Sequence, residues 1–476
     1  MTGSTTHRPR TGPRSGSPPP RGGPHSRADP HSRADPHSWA AGPARLSGPT
    51  RRRIVWSAGV VAAGYLLFAL LFSLSTPAWE NSDEADHTRY TERVVRDGRL
   101  PAIAVQNGGE SHQTPLYYLA LAGWQDALGI PVFEPDPVRP AAAVVRDGVT
   151  VQSVDHRYDA AHAQQARWLH RLRLFSVACG LLTVLAAYAT GYLVTRRTPV
   201  AAAVAATVAT WPKFLVISAA VTNTALVVTM TAVAVPCWLV WHRRRSPAWA
   251  AATGTALGAA VLAQLSAAPL AGLLGGALVV GALRRGDRRS PVVALVCAAA
   301  VCGWWFAWNA VRYGDPLAVA RTARYLRDLF PGLNLIRPVP SSSPGTILDT
   351  VPQLVHSTWY SGGWDQLLLP GWVDTCLWLM AALSLLAALA TRWGRTPVLW
   401  AAASAGVAAW LAIVRQTPHG QGRYLLTGVV GWATLFVAGS SRLPAAGAWA
   451  IWLWPLAFVS VDVYVVATYL IPYRGG

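Results

Sequence analysis

The sequence predicts an all-α, polytopic membrane protein with about eleven transmembrane helices. Its 476 residues are 52% hydrophobic and only 13% charged. Apolar runs of about 18–25 residues recur along the chain, long enough to cross a bilayer. Short arginine clusters separate these runs on alternate loops, as the positive-inside rule requires. The formal net charge of +19 would suit nucleic acid if it lay on one soluble face. It lies in short loops and in the N-terminal tail, so no nucleic-acid partner is expected. Lys213 is the only lysine.

Residues 1–50 are rich in Arg, Pro, Gly, Ser and His, and Pro24-His-Ser-Arg-Ala-Asp29 repeats as Pro30 to Asp35. Such a stretch is expected to be a disordered cytoplasmic tail. No apolar stretch precedes Ile54, so no signal peptide is expected, and Arg51-Arg52-Arg53 places the N-terminus inside. Residues 51–476 then form the membrane domain. Its spans are predicted at 54–75, 172–195, 199–213, 220–241, 248–264, 266–283, 291–311, 373–391, 397–414, 423–441 and 446–470. Inner loops then hold Arg196-Arg197, Arg243 to Arg245, Arg284 to Arg289, Arg392 to Arg395 and Arg442. The acidic residues agree, since thirteen of the 22 fall between residues 76 and 170, on the outer side.

Residues 115–124, Pro-Leu-Tyr-Tyr-Leu-Ala-Leu-Ala-Gly-Trp, could open a twelfth span. Counting it would put Arg196-Arg197 and Arg243 to Arg245 outside, so it reads as an interfacial helix with its aromatic residues at headgroup level. Two outer loops are long, 76–170 and 312–372, and long loops in a compact bundle usually carry function. The five cysteines, Cys179, Cys237, Cys297, Cys302 and Cys376, lie in apolar segments without metal-site spacing and are expected as free thiols.

The chain is organised around residues 77–90, Pro-Ala-Trp-Glu-Asn-Ser-Asp-Glu-Ala-Asp-His-Thr-Arg-Tyr, directly after the first span. Glu80, Asp83, Glu84, Asp86 and His87 crowd beside a membrane surface, where carboxylates need a polar cavity. On a helix Asp83, His87 and Tyr90 share one face at i, i+4, i+7. A carboxylate beside an imidazole is a candidate general base or cation site. Asn81 with Glu84 three residues later also fits a plain N-cap and its partner. Arg415 and Arg423 stand in an outer loop against the charge rule and therefore call for an anionic partner.

An outer-loop Asp83-Glu84, a nearby His87, and then Glu110-Ser-His-Gln-Thr-Pro-Leu-Tyr-Tyr118 resemble the GT-C superfamily of membrane glycosyltransferases. The match is closer to a poorly characterised bacterial branch, through Gly303-Trp-Trp-Phe-Ala-Trp-Asn309, Tyr313-Gly-Asp-Pro316 and Gln421-Gly-Arg-Tyr-Leu-Leu426. The resemblance covers about residues 54–470. It implies a bacterial plasma-membrane enzyme with an extracytoplasmic site, transferring a hexose or pentose from a polyprenyl-phosphate carrier to a glycan, lipid or protein acceptor.

By that resemblance Asp83 is the expected base, with Glu84 second. His87 and Asp86 would orient it, or hold a divalent cation with Asp83; no cofactor is otherwise implied. Glu110, His112 and Tyr117 would line the site, and Tyr90 and Tyr424 complete the substrate-binding set. Arg423, then Arg415 and Arg312, would hold the leaving phosphate, which suits the planar guanidinium fork. Trp304, Trp305 and Trp308 are expected in an interfacial aromatic belt. Three positions depart from the branch pattern: Thr224 stands where an Asp is common, Ala263-Gln-Leu-Ser266 lacks a common Lys, and Trp308 replaces an Arg. The rival readings are a GT-C-fold protein that binds lipid-linked sugar without turnover, and a transporter of lipids or small molecules. A transporter should carry ionisable residues inside its spans, and the predicted spans carry almost none.

Overall fold

In a computed structural model the described residues are 48–136, 144–146, 149–152, 160–329, 343–363, 367–415 and 420–471. The repetitive tail to residue 47, the Pro/Ser stretch near 338–342 and Trp364 lie outside them. Almost everything described is helix. In chain order the helices are α1 Gly48–Ser75, α2 Glu84–Asp97, α3 Leu116–Ala127, α4 Ala160–Thr195, α5 Thr198–Ala209, α6 Pro212–Ser218, α7 Asn223–Arg244, α8 Pro247–Ala263 and α9 Ala268–Leu283. There follow α10 Arg289–Tyr313, α11 Val319–Leu329, α12 Pro344–Leu348, α13 Val351–Trp359, α14 Gly371–Ala388, α15 Pro397–Val414, α16 Val429–Ser440 and α17 Leu453–Val465. Two short antiparallel hairpins complete the described chain, β1 Val144–Arg146 with β2 Val149–Gln152, and β3 Ser361–Gly362 with β4 Leu367–Leu368.

This is an all-α polytopic membrane protein. Eight helical stretches among the described residues are long and apolar enough to cross a membrane: α1, α4, α7, Leu265–Leu283 (with α9), α10, α14, α15 and Gly447–Leu470 (with α17). The count of eleven is not confirmed. α5 and α6 meet at a 65° bend, because Pro212 has no N–H to continue the ladder. α8 has only 17 residues and α16 only 12. α3 also has 12 residues, about 18 Å of rise against a hydrocarbon core of roughly 30 Å. It is too short to be the twelfth span.

Small residues let these helices approach closely. Gly254 and Gly258 of α8 lie against Ala294 and Ala298 of α10, and a Cβ at Gly258 would stand 2.7 Å from the Ala298 carbonyl oxygen. Two small residues four apart on each helix are what close backbone packing in a membrane needs. Elsewhere Trp211, Trp359, Phe436, Trp454 and Phe458 form one buried aromatic cluster that joins the α5–α6 bend to α13, α16 and α17.

The described part of the segment between α1 and α4 is folded, not extended. α2 starts behind Asp83 and stops at Gly98, whose left-handed backbone (φ 60°) returns its N–H to the Val94 carbonyl, a normal glycine C-cap. α3 packs on α2 through buried Glu92, whose carboxylate accepts from Gln125 Nε2 at 2.8 Å and from the Phe133 N–H at 2.9 Å. Burial pushes this carboxyl up from 4.5 to about 7, against the pull of those two donors. The folded loop therefore binds the proton more tightly than the unfolded chain does. That stabilisation is complete below about pH 4.5 and is lost as pH rises through about 7. Hydrogen exchange of α2 and α3 amides, corrected for intrinsic rates, should quicken across that window, and Glu92→Gln should flatten the dependence. An unchanged slope in the variant would assign the effect to another group.

Candidate functional site

The site is built where the end of α1 meets α2. Glu84 is the first residue of α2 and is completely buried against Arg173 of α4. Arg173 Nε and Nη2 donate to the two Glu84 oxygens at 2.8 and 2.7 Å. Its remaining donors reach the Ser73, Thr76 and Pro77 carbonyls at 2.7–2.9 Å. One guanidinium thus caps the C-terminal end of α1 and fixes the start of α2. Glu84 Oε1 also accepts from the Val221 N–H at 3.0 Å. Glu84, expected as a second base, thus has both oxygens held by fixed donors and shielded from solvent.

Asp83 is the N-cap residue, with a left-handed backbone (φ 61°) and no side-chain cap bond. The Asn81 cap is therefore not formed. Released from capping, the Asp83 carboxylate is 29% exposed and accepts from Arg423 Nη2 at 3.3 Å. Arg423 follows Gly422, whose N–H donates to Ser357 Oγ at 2.7 Å. A Cβ at Gly422 would stand 2.5 Å from the Thr358 amide nitrogen, so only glycine lets this segment lie on α13 and aim Arg423 at Asp83.

Asp83, His87 and Glu110 each bring one ligand atom to a point where all lie within 4.8 Å of one another. The spacing predicted His87 on the Asp83 face, and the α2 backbone bond from the His87 N–H to the Asp83 carbonyl (2.9 Å) provides it. His87 Nδ1 is engaged by the Tyr118 hydroxyl at 2.8 Å, which leaves Nε2 for the cluster. Burial pushes His87 down to about 3, with Asp83 pulling the other way. Glu110 is raised well above the usual carboxylate range, first by burial and then by the charges of Asp83 and Asp86. Its Oε2 is buried with no hydrogen-bond partner. A neutral imidazole and a buried, unsatisfied carboxyl oxygen fit a divalent cation, and the set is Asp83, His87 and Glu110. Asp86 is not in it: Asp86 pairs with Arg89 and accepts from the Gly109 N–H at 3.4 Å.

The other expected residues divide. His112 lies beside the cluster, pushed down to about 4 by burial against the pull of the Gly109 carbonyl and Asp83. Tyr90 is buried and stacks on Tyr118, ring centroids 3.8 Å apart. Tyr117 is a framework residue, its hydroxyl taken by Ser176 Oγ (3.1 Å) and the Thr222 N–H (3.0 Å). Tyr424 carries the Arg423 guanidinium 5.6 Å above its ring. Arg312 is exposed and stacks on Trp308 at 4.9 Å, and Arg415 is exposed at the end of α15; neither joins Arg423 at Asp83. The aromatic belt also divides. Trp304 is exposed, but Trp305 is buried and belongs to the protein interior.

Beside Asp83 and Arg423 a small cleft is lined by Asn81, Ser82, Lys213, Ser361, Gln421 and Arg423. Lys213 Nζ donates to the Ser361 carbonyl at 3.2 Å and to the Ser361 hydroxyl. The cleft shares Asn81, Val216, Gly362 and Gly363 with a second small cavity. That cavity is walled by Phe72, Val216, Leu367 and Leu470, with Glu80 as its charged lining residue. Two cations therefore stand where a polar cleft opens into an apolar trough. Sequence reasoning missed Arg173 and Lys213. Their signals were present: an arginine just inside an apolar run, and the sole lysine of a chain that otherwise uses arginine.

ArnT of Cupriavidus metallidurans, in its structure with undecaprenyl phosphate, superposes with a TM-score of 0.51 at 15% identity, covering 86% of this chain and 63% of that one. The chain has the fold of this ArnT. The apo form of that ArnT gives a TM-score of 0.50 at 16% identity, covering 87% of this chain and 66% of that one. The oligosaccharyltransferase of Archaeoglobus fulgidus gives 0.45 at 13% identity, covering 86% of this chain and 54% of that one. The chain thus spans less than two thirds of the length of these GT-C proteins. Residues 166–310 match the dolichyl-phosphate-mannose-protein mannosyltransferase family model. No curated protein sequence matches the chain.

Proposed function

We propose that this GT-C protein is a membrane glycosyltransferase that takes a sugar from a polyprenyl-phosphate carrier and places it on a hydroxyl of a glycan, lipid or protein acceptor. The observation that carries the reading is the cleft holding Lys213 and Arg423 beside Asp83 and running into an apolar trough. Such a trough suits an isoprenoid chain, and two cations at its mouth suit the phosphate. The likeness to ArnT, whose structure holds undecaprenyl phosphate, supports the same assignment. The arginine-rich alternate loops support an inner N-terminus and an extracytoplasmic site in a bacterial plasma membrane.

In this reading the acceptor hydroxyl attacks the anomeric carbon and its proton passes to Asp83. The bond to the phosphate oxygen breaks, and its electron pair stays on the phosphate, facing Lys213 and Arg423. Without ligand, Arg423 is paired with Asp83; a phosphate that draws on Arg423 frees the carboxylate to act as base. A divalent cation on Asp83, His87 and Glu110 would supply charge stabilisation next to the phosphate, and the proton transfer described here does not pass through it. Asp462, buried in α17 with both oxygens lacking a hydrogen-bond partner, is what a transporter would show inside a span; one buried acid does not make a pathway.

The deciding experiment presents a panel of polyprenyl-phosphate sugars to the purified chain in nanodiscs and follows sugar release and transfer. Turnover is expected. Binding without turnover would favour the non-catalytic reading, and neither binding nor turnover would sink the proposal. Lys213→Met should weaken binding of sugar-free polyprenyl phosphate by about 10–100-fold, the value of a charge-assisted hydrogen bond. Unchanged binding would remove Lys213 from the phosphate site.

A further inference from the structure

α7 starts beside the candidate site, where Asn223 Nδ2 donates to Gln113 Oε1 at 3.2 Å. Its 22 residues then run about 33 Å to the other end of the bundle. The turn after α7 and the turn after α9 meet there. Residues 243–245 and 284–289 hold seven arginines, and Asp287 is the one acidic residue between positions 160 and 314. Asp287 is already engaged: its carboxylate accepts the Arg289 and Ser290 N–H groups at 3.1 and 3.0 Å and so caps α10.

Trp241, fully buried, gathers the cations. Arg245 closes α7 with a left-handed backbone (φ 54°) and lays its guanidinium 4.9 Å over the Trp241 ring. Gly281 of α9 faces the same ring: a Cβ there would stand 3.5 Å from Trp241 Cη2 and 3.6 Å from Arg285 Nη1. The charges of Arg245, Arg285 and Arg243 all act on His242, which stacks on Trp238 at 5.0 Å. Burial and the charge of Arg285 hold the Arg245 guanidinium below its usual range, with Asp287 pulling the other way. Arg245 Nη1 is buried with no hydrogen-bond partner. Like charges held this close, with one charged donor unsatisfied, call for an anion between them.

The position selects the source of that anion. α7 and the stretch Leu265–Leu283 are each long and apolar enough to cross a membrane, so the turns that follow them lie at headgroup depth. The last turn of α9 exposes Val280 and Leu283, which gives acyl chains apolar surface within one helical turn of Arg284 and Arg285. A soluble phosphate would use the cations alone, whereas a phospholipid uses both, as basic pockets between spans do for lipid headgroups. We propose that Arg245 and Arg285, with Arg243 beside them, bind the phosphate of an anionic phospholipid, which bridges the turn after α7 to the turn after α9. The site lies at the end of the bundle away from the cleft, and its occupancy does not depend on the transferase reading.

The test is native mass spectrometry of the full chain in detergent, titrated with phosphatidylglycerol, phosphatidylcholine or inorganic phosphate. Phosphatidylglycerol should bind about tenfold or more tightly than phosphatidylcholine, and Arg245→Gln and Arg285→Gln should each weaken it by about fivefold. Arg244→Gln and Arg288→Gln remove the same charge from exposed positions and should leave the binding nearly unchanged. Phosphatidylglycerol should also raise the thermal midpoint of the wild type and have less effect on Arg245→Gln and Arg285→Gln. Arg285 is exposed, so Arg285→Gln decides the matter if Arg245→Gln does not elute as a monodisperse protein. Equal binding of the two lipids overturns the proposal. So does an equal loss in all four variants, which would mean diffuse attraction to a basic surface. Inorganic phosphate binding as tightly as phosphatidylglycerol would assign the cluster to a soluble anion and overturn it as well.

Discussion

Asp83→Asn is expected to lower sugar transfer by about 10²–10⁴-fold, the contribution of a positioned general base. Asparagine tolerates the left-handed backbone that Asp83 adopts (φ 61°), so the substitution removes the charge and keeps the turn. It also removes the partner that Arg423 holds at 3.3 Å. Binding of the carrier phosphate should therefore be retained or tightened while single-turnover transfer collapses. Alanine would be a poorer probe, because it combines the lost carboxylate with backbone strain. A wild-type single-turnover rate in Asp83→Asn would take Asp83 out of the chemistry.

Arg173→Ala should fail at an earlier stage. Removing one partner of a buried ion pair leaves the other charge uncompensated, at a cost of about 3–5 kcal/mol. Here the loss also strips the donors from the Ser73, Thr76 and Pro77 carbonyls. Thermal unfolding in detergent, followed by size-exclusion of the heated sample, should show a lower midpoint and reduced yield of monodisperse protein. Glu84→Met in the same chain should recover part of the loss, since the uncompensated carboxylate is gone. The capping of α1 would stay lost, so recovery is incomplete. Full recovery would mean that the carbonyl contacts contribute nothing.

The comparison of Asp83 with Glu84 shows what the sequence could reveal. Apolar run length located the spans, and the i, i+4 spacing located His87 beside Asp83, because both depend on local geometry. Sequence treats Asp83 and Glu84 as neighbours with equal claims. In the fold one is an N-cap turned to the cleft, while its neighbour is the first helical residue, turned into the bundle. What separates them is Arg173, 89 residues away, and no local pattern encodes a partner at that distance. The same limit hid Lys213, which reaches the site only through the α5–α6 bend. Arg312 and Arg415, expected beside Arg423, lie exposed and away from Asp83. Glu110 stands in the candidate metal-ligand set where Asp86 was expected, and Asp86 pairs instead with Arg89, one helical turn on. The count of eleven is left unconfirmed for a related reason: α5, α8 and α16 are apolar, but bends and breaks keep them shorter than the long spans.

The pair between Asp83 and Arg423 joins residues 340 positions apart. At ordinary synthesis rates of about 5–20 residues per second, roughly 20–70 s separate their emergence from the ribosome. During that interval the helices α2 to α15 are made while the Asp83 carboxylate still lacks its arginine. A nascent chain interrupted at the end of α15 would carry Asp83 without Arg423. The Asp83–Arg423 pair therefore forms only late in synthesis, after nearly all the helices that surround it have been made.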